Sequence, residues 1–591
     1  MANFLDKFLI TTASGKRHKK DLSCEHITTG DFMRLGTAYY HNMVPNEKLV
    51  VDFRAFSRLA SMPVPTFGRA NMNMRCFFVP FRTVDHAWND FITDSVHVYA
   101  DDTPAIPART RGIQMNTLVN AINDYCVDGS SSDYDFVTVY QSAINYRKFT
   151  PFARDIYKNL LSLGYAFSFN LNGSDASTVL SALPLLAMMK VYVDWYWPSA
   201  YVGDPDYNSI VSILQRDTAG DLITKAELQT MFSWLRRVNY DSDYFVSAFD
   251  NPTGPTNGVS STVTVKDPSS LSGSPSVISQ ESDDGDFGIR ANTPFMGPNT
   301  ITQYGIMALH RLTDYMKRHQ LAGARALDRY LARFGVNLAP EKLNRSIYLG
   351  NHKIPLMTGD VFGTSDTLQT VSGQTTGSPL GSYAGKGYLV GKDGHFEYET
   401  NEYGIFFILF SIIPEVGYFQ GIDRHNMHLT RLDFFTPEFD AMGTRAISSG
   451  ELLLPINPTQ AAWKDTLQTV FGYTPQYSEY KVGRDWLTGD YRCRTLSVAG
   501  ETSNAWHLFR DVRGIEVQPI VHSRAFGQGG VDDDQYDRIF YNVRNTVDHF
   551  FLHFFFGVTS TAPMKPLYDT YDFEDEDNAK RVLDVNGVKM N

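Results

Sequence analysis

Apolar and polar residues alternate with unusual regularity over Asn71–Val79. Met72, Met74, Cys76 and Phe78 fall on one side, and Asn73, Arg75 and Phe77 on the other. That two-residue period predicts a half-buried strand, and Pro80, with no N–H to give to a ladder, ends it. Lys48–Phe53 predicts another strand upstream. From Phe81 to about Asp250 the period breaks, and helical stretches are predicted at Leu180–Tyr196 and Lys225–Val238 within elaborate connections. Thr300–Phe334 carries the strongest helical period: Ile301, Tyr304, Ala308, Leu312 and Tyr315 form one stripe, and Leu327, Leu331 and Phe334 a second. Gly323 separates two helices and Gly335 caps the second. Beyond residue 385, Phe396 and Tyr398 alternate with Glu397 and Glu399, and a turn at Asn401–Gly404 feeds the apolar run Ile405–Ile413, which predicts a hairpin. His428–Phe435, Tyr491–Val498 and Val547–Phe556 are further strand candidates.

The stretch Asn251–Asn292 is dominated by Ser, Gly, Pro, Thr and Asp and alternates only at Ser261–Val265 and Ser276–Ser279. It reads as an exposed insertion tipped by a hairpin. The organisation expected is an N-terminal arm and first strand region over 1–60, strands with long loops over 61–250, the insertion at 251–292, helices and the remaining strands over 293–562, and an acidic tail at 563–591. No internal repeat interrupts this order. Strands near both ends with long excursions between them fit a sandwich or jelly roll.

Composition supports the β reading. Of 591 residues, 40 are Phe and 32 Tyr, with 44 Gly and 27 Pro to make turns. With 43% hydrophobic and 20% charged residues the chain can fill a core, so a disordered or collagen-like protein is excluded. The net charge of −12 denies the whole molecule the footprint of a general nucleic-acid binder. Cys24, Cys76, Cys126 and Cys493 lie too far apart for a zinc knuckle or a redox pair, which points to a reducing compartment. The longest apolar runs, Ile405–Ile413 and Phe550–Phe556, fall well short of the ~20 residues of a membrane span. Met1–Thr12 has no basic region ahead of a signal-length apolar stretch, so neither export nor an anchor is expected.

Candidate chemistry is sparse. Gly381–Lys386 and Gly387–Lys392 are each one residue short of a phosphate-binding loop and lack its final hydroxyl, and read as a glycine-rich loop. Asp217–Glu227 begins like a calcium loop, but Leu222 stands where that loop needs Gly, and the stretch reads as the approach to a helix. Glu397 and Glu399, about 6.6 Å apart on one strand face, match a glycosidase carboxylate pair as well as they match solvent-facing positions. Asp532–Asp534 and Glu574–Asp577 fit either a divalent cation or a solvated face. No catalytic residue, metal ligand or cofactor is assigned. The basic run Lys16, Arg17, His18, Lys19 and Lys20 is dense enough to neutralise several phosphates, and reads equally as a solvated arm.

Several stretches together resemble one family. They are Met62-Pro63-Val64-Pro65, Cys76-Phe77-Phe78-Val79-Pro80-Phe81-Arg82 with Trp88-Asn89-Asp90-Phe91, Asp243-Tyr244-Phe245-Val246-Ser247-Ala248, and Arg325 to Val336 ending in Arg333-Phe334-Gly335-Val336. Further on come Tyr348-Leu349-Gly350, Tyr418-Phe419-Gln420-Gly421-Ile422-Asp423-Arg424, Val470-Phe471-Gly472-Tyr473, Tyr477-Ser478-Glu479-Tyr480-Lys481 and Ala505-Trp506-His507-Leu508. In this order they resemble the major capsid protein of the microviruses, small tailless bacteriophages with single-stranded DNA, and above all its gokushovirus-like branch. The chain departs from that pattern at Asp85, where many relatives have Trp, at Phe249-Asp250 in place of Leu-Pro, and in the acidic tail past Pro563-Met564-Lys565-Pro566.

The resemblance implies an eight-stranded antiparallel jelly roll with large inserted loops and several helices. It also implies a structural, non-enzymatic protein whose identical copies form a closed icosahedral shell around packaged single-stranded DNA, assembled in the bacterial host cytoplasm. Minor virion proteins and a host surface receptor are then the other partners. It places 251–292 as a threefold protrusion, with Asn257, Lys266, Asp267 and Ser272 as attachment candidates, and makes Lys16, Arg17, Lys19 and Lys20 candidates for DNA contact on the inner surface. The competing class is a jelly roll that binds or hydrolyses glycans, which needs a concave face with convergent aromatic and polar groups.

Overall fold

The computed structural model describes residues 17–64, 66–93, 111–128, 147–166, 177–197, 205–216, 221–234, 238–248, 344–362, 383–391, 394–415, 421–431, 433–440, 444–452, 469–489 and 548–564, with short pieces between them. Ten strands build its centre: β1 His18–Asp21, β2 Cys24–Gly30, β3 Leu35–Met43, β4 Glu47–Leu59, β5 Arg69–Pro80, β6 Ile347–Phe362, β7 Tyr383–Val390, β8 Gly394–Thr400, β9 Gly404–Glu415 and β10 Phe550–Ala562. All their pairings are antiparallel. One sheet runs β2–β10–β4–β8, with β1 beside β10 beyond the end of β2 and β7 sharing the β8 position along β4. The other runs β3–β9–β5–β6. Successive strands pass from one sheet to the other at β2 to β3, β3 to β4, β4 to β5, β8 to β9 and β9 to β10, which is the connectivity of an eight-position jelly roll.

β6 belongs to both sheets. Its first half, Ile347–Pro355, pairs with β5, and its second, Leu356–Phe362, pairs with β7. The sandwich interior between the sheets holds Phe53, Met72, Met74, Cys76, Phe78, Phe406, Ile408, Phe410, Phe550 and Phe554. Behind the second sheet lies a third layer of helices: α1 Trp88–Thr93, α2 Met115–Asn123, α3 Pro151–Ser162, α4 Leu183–Val191, α5 Pro205–Leu214 and α6 Lys225–Trp234. Their apolar side chains meet Phe77, Val79, Ile405, Phe407 and Leu409. Thr150 starts α3 by accepting from Ala153 N–H, and α4 runs on into a π turn at Tyr192–Tyr196.

That third layer corrects the reading of Asn71–Val79. The strand is there, but both of its faces are covered. Asn73 is fully buried, the Arg75 guanidinium lies 5.2 Å from the Tyr196 ring centre, and Phe77 packs against Trp195, Tyr196 and Tyr348. Alternation marked the two faces correctly; it could not show that helices cover the more polar one.

The turn at Asn401–Gly404 also exists, yet no hairpin forms. β8 pairs with β4 in one sheet and β9 with β3 and β5 in the other, so the turn is a crossing between sheets. His428–Phe435 is not a strand: the Asp433 carboxylate accepts from Leu429 N–H, Thr430 N–H and the Thr430 hydroxyl, which curls the backbone locally. The glycine-rich stretch around 383–390 is strand β7 rather than a loop. At Gly387 a Cβ would come within 2.7 Å of the Leu59 side chain, which would have to turn aside to admit one. Lys225–Val238 gives α6, and Leu180–Tyr196 gives α4 with its π turn. Of Thr300–Phe334, the described residues Arg311, Tyr315, Tyr330, Leu331 and Phe334 are helical. Gly335, at a φ of +66°, donates its N–H to Leu331 O as a C-cap. The insertion 251–292, the strand expected at Tyr491–Val498 and the tail 565–591 lie outside the described residues.

Two-sided burial of β9 makes a prediction that simple alternation does not. Phe406 faces the sandwich and Phe407 the helical layer, and both are fully buried. Phe406→Ala and Phe407→Ala should each cost about 3–5 kcal/mol in urea unfolding of the unassembled chain. Phe555→Ala, on an open face, should cost far less. A near-neutral Phe407→Ala would refute the third layer.

Candidate functional site

The helical layer is fastened to the barrel by a buried ionic network. Asp548, just before β10, receives Arg154 Nη2 at 2.7 Å, the Lys158 ammonium, and the Thr29 hydroxyl at 2.5 Å. Asp155 on the same helix lies 3.5 Å from Arg34 and from Lys158. The neighbouring His549 Nδ1 meets Asp31 at 3.0 Å while its ring stacks on Phe540. Each charge faces an opposite charge, as burial demands. The network joins α3, β10 and the link between β2 and β3, and its roles are structural.

A second unit gathers stretches that are far apart in sequence. Tyr418 donates its hydroxyl to Asp243 at 2.5 Å, Tyr244 donates to Glu451 at 3.2 Å, and Arg424 reaches the same carboxylate at 3.2 Å. Phe245 packs against Tyr418 and Phe471, and Arg445 bridges Asp433 and Glu479 at 2.9 Å each. Gly421 admits no side chain, since a Cβ would lie 1.7 Å from Glu451 O. Burial pushes the Glu451 carboxyl above its ordinary value, against the pull of Arg424. The described residues of four motifs that carried the resemblance, 243–248, 418 with 421–424, 470–473 and 477–481, therefore converge on one folded unit. Their residue types are accounted for by packing and charge pairing.

The third feature is the outer face of the first sheet, which none of the described elements covers. Pairing register places residues of neighbouring strands in rows across it. One row is Met357, Tyr388, Arg58, Phe551 and Thr29, and the next is Val390, Phe56, His553 and Ile27. A third holds Arg54, Phe555 and Glu25. Beyond it come His395, Asp52 and Gly557, then Glu397, Val50, Thr559 and Asp21, then Glu399, Lys48, Thr561 and Lys19. Ile27 is 72% exposed, and Met357, Tyr388, Val390, Phe551 and Phe555 are exposed too.

The last two of these rows contain the sequence-predicted residues Glu397, Glu399 and Lys19. Glu397 is bound by Lys48 and Glu399 by Arg17, which also reaches Asn46. The hydrogen bond and charge of Lys48 hold Glu397 below the usual carboxylate range, the opposite of what a general acid needs. The carboxylate pair is thus a pair of salt bridges. The basic run is not a loose arm: Lys19 and Lys20 lie in β1, and Lys19 points onto the open face opposite Thr561. Lys16 lies outside the described residues, as do Asn257, Lys266, Asp267 and Ser272, and the acidic clusters Asp532–Asp534 and Glu574–Asp577. Asp221 and Glu227 both engage Arg216, and Glu227 caps α6 at Thr224 N–H, so the calcium-like stretch is a helix start. Among the described residues no group of three His, Cys, Asp or Glu side chains could hold a metal ion. Sequence reasoning missed the apolar and arginine rows, whose signal was the outward set Phe551, His553 and Phe555 in a run weighed only for its length against a membrane span.

Comparison with known proteins gives a consistent result. The family model described as "Capsid protein (F protein)" matches residues 9–125 and 165–571. "Capsid protein VP1" of Bdellovibrio phage phiMH2K is 23% identical over 508 residues, covering 81% of this chain and 82% of that protein. "Capsid protein VP1" of Chlamydia phage 1 is 26% identical over 201 residues, 33% of this chain and 31% of its own.

Two outcomes follow from the charge networks. Asp548→Ala strands Arg154 and Lys158 as buried cations and should cost about 3–5 kcal/mol in urea unfolding at pH 7; an unchanged midpoint would show the network to be dispensable. The Thr430 and Leu429 N–H groups, the Thr430 hydroxyl and Arg445 hold Asp433 down to about 2. An unfolded Asp titrates near ~3.9, so this depressed group adds stability above about pH 4 and loses it as pH falls towards 2. Asp433→Asn should therefore lose less stability than wild type between pH 4 and pH 2. Parallel acid limbs in the two proteins would contradict the assignment.

Proposed function

The chain belongs to the capsid protein (F protein) family, whose part in the virion is structural rather than enzymatic, and we propose on that premise that its copies close into a small icosahedral shell around single-stranded DNA. The observation that supports this most directly is a complete eight-position jelly roll with two greatly enlarged connections, 81–346 between β5 and β6 and 416–549 between β9 and β10. Loops of that size on a rigid sandwich supply the different contacts that a closed symmetric shell requires of one sequence. Assembly takes place in the bacterial host cytoplasm, where the widely spaced thiols stay reduced. Minor virion proteins and a host receptor complete the set of partners.

Within this reading, residues 251–292 form the outward protrusion for host attachment, with Asn257, Lys266, Asp267 and Ser272 among its contact residues. Of the basic run, Lys19 is the cation best placed for packaged DNA, because Arg17 is already matched to Glu399 and Lys20 sits on the opposite side of β1, against buried Ser560. Arg17 is therefore a weaker DNA contact than its sequence position implies.

Electron microscopy of the purified full chain should show uniform closed shells. A stable monomer with affinity for glycans would instead favour the competing class. Replacing 251–292 with a short Gly-Ser linker should leave shells intact while abolishing adsorption to host cells. Loss of shells in that variant would make the segment an assembly element.

A further inference from the structure

We infer that the exposed ring patch of Phe434, Phe435 and Tyr480, with Leu429 at its rim, is a contact between two copies of this chain, in which Arg431 of each copy meets the partner's Glu438. The inference rests on the reading of the chain as a shell protein, and it names one contact by which such a shell closes. The first observation is the patch itself. Phe434, Phe435 and Tyr480 are each about half exposed, and Leu429 is 88% exposed. These side chains are not scattered: Phe434 meets the His428 ring at 5.5 Å, His428 stacks on Tyr480 at 5.9 Å, and Tyr480 meets Phe435 at 6.2 Å. A continuous apolar surface marks a binding face, and rings are enriched at the centres of protein interfaces.

The second observation is that the patch is held ready. Arg445 ties Asp433, the neighbour of Phe434, to Glu479, the neighbour of Tyr480. Lys481, on the other side of Tyr480, reaches Asp440. The two ring-bearing stretches are thus joined before and after the rings, and a face ordered in advance loses less entropy on docking.

The third observation chooses the occupant. Among the described charged side chains over 421–440 and 469–489, Asp423 is matched by Arg484, Arg424 by Glu451, Asp433 and Glu479 by Arg445, and Asp440 by Lys481. Arg431, Glu438 and Asp485 are exposed and have no such partner. Asp485 belongs to the stretch whose backbone receives Tyr418 N–H. The other two flank the rings, with Arg431 three residues before Phe434 and Glu438 three residues after Phe435. One unmatched cation and one unmatched carboxylate on either side of the same rings are self-complementary. A copy turned by half a turn about the ring pair sets each against the other, and does so twice, which is an isologous contact. A polyanion would meet two loose carboxylates in this unit for one loose cation. A glycan would find the polar groups next to the rings, Asp433, Arg445 and Glu479, engaged with one another.

The test is sedimentation velocity of the full chain over a range of concentrations. Arg431→Glu and Glu438→Arg move the net charge in opposite directions. Each should nevertheless raise the concentration needed for association at least about tenfold, because each sets like charges together at both ends of the contact. Both substitutions in one chain restore opposite pairs, as does an equimolar mixture of the two single variants, and both samples should associate as wild type does. Phe434→Ser with Phe435→Ser should abolish association while the far-ultraviolet circular dichroism of the dissociated chain stays that of wild type. Single reversals that associate like wild type would overturn the contact, and so would reversals that fail without rescue in the double variant or the mixture. Wild-type binding of chitohexaose that the double serine variant loses, with association untouched, would overturn it in favour of a glycan. Wild type that pairs in this charge-dependent way but never closes into shells would support the contact and remove the shell reading. Wild type that stays monomeric at every concentration would overturn both.

Discussion

The structure depends on the pairing of β5 with β9, which runs in unbroken register from Gly404 opposite Pro80 to Glu415 opposite Arg69. Both strands are covered on both faces, so each contributes side chains to two apolar layers at once. In β9 every residue from Gly404 to Pro414 is buried. At roughly 1.5–3 kcal/mol for each large apolar side chain taken from water, this pair outweighs any ion pair in the molecule. It fixes where the helices lie, because they must cover Phe77, Val79, Ile405, Phe407 and Leu409, and it leaves the other sheet as the one with a free side.

That asymmetry explains the different use of charge on the two sides. Between barrel and helices the charges are buried and each meets an opposite one, as around Asp548. On the open sheet, half of the rows are closed by Lys48 with Glu397, Arg17 with Glu399 and His395 with Asp52, while the other half presents rings and arginines. Salt bridges at exposed positions add little stability. Their effect is to match charge within those rows.

Much of the fold was legible because strands announce themselves locally. Asn71–Val79, Ile405–Ile413 and the start of β10 were readable from period and apolar content, and the family motifs supplied the strand count and connectivity. What stayed hidden were facts about partners. No local pattern says that Asn401–Gly404 carries the chain between sheets, because a two-sheet crossing and a hairpin use the same turn residues. Lys16–Lys20 looked like an arm because strand β1 is short and polar, and its order comes from β10, more than five hundred residues away. The open face was missed for the same reason: Arg54, Arg58, Phe551 and Phe555 become neighbours only through the register of β4 on β10. His428–Phe435 misled because one carboxylate, Asp433, outcompetes the β propensity of its neighbours.

The place of β10 has a consequence for synthesis. It lies between β2 and β4, so the last of the described strands fills the gap between two of the first. At roughly 5–20 residues per second, the ribosome needs on the order of half a minute to a minute and a half to travel from β5 to β10. For that interval β2 and β4 have unpaired edges facing each other across a gap one strand wide. Unpaired strand edges invite pairing with other chains, so the nascent protein depends on being shielded until its C-terminal part emerges. A chain terminated early lacks a central strand rather than a peripheral one and has no barrel.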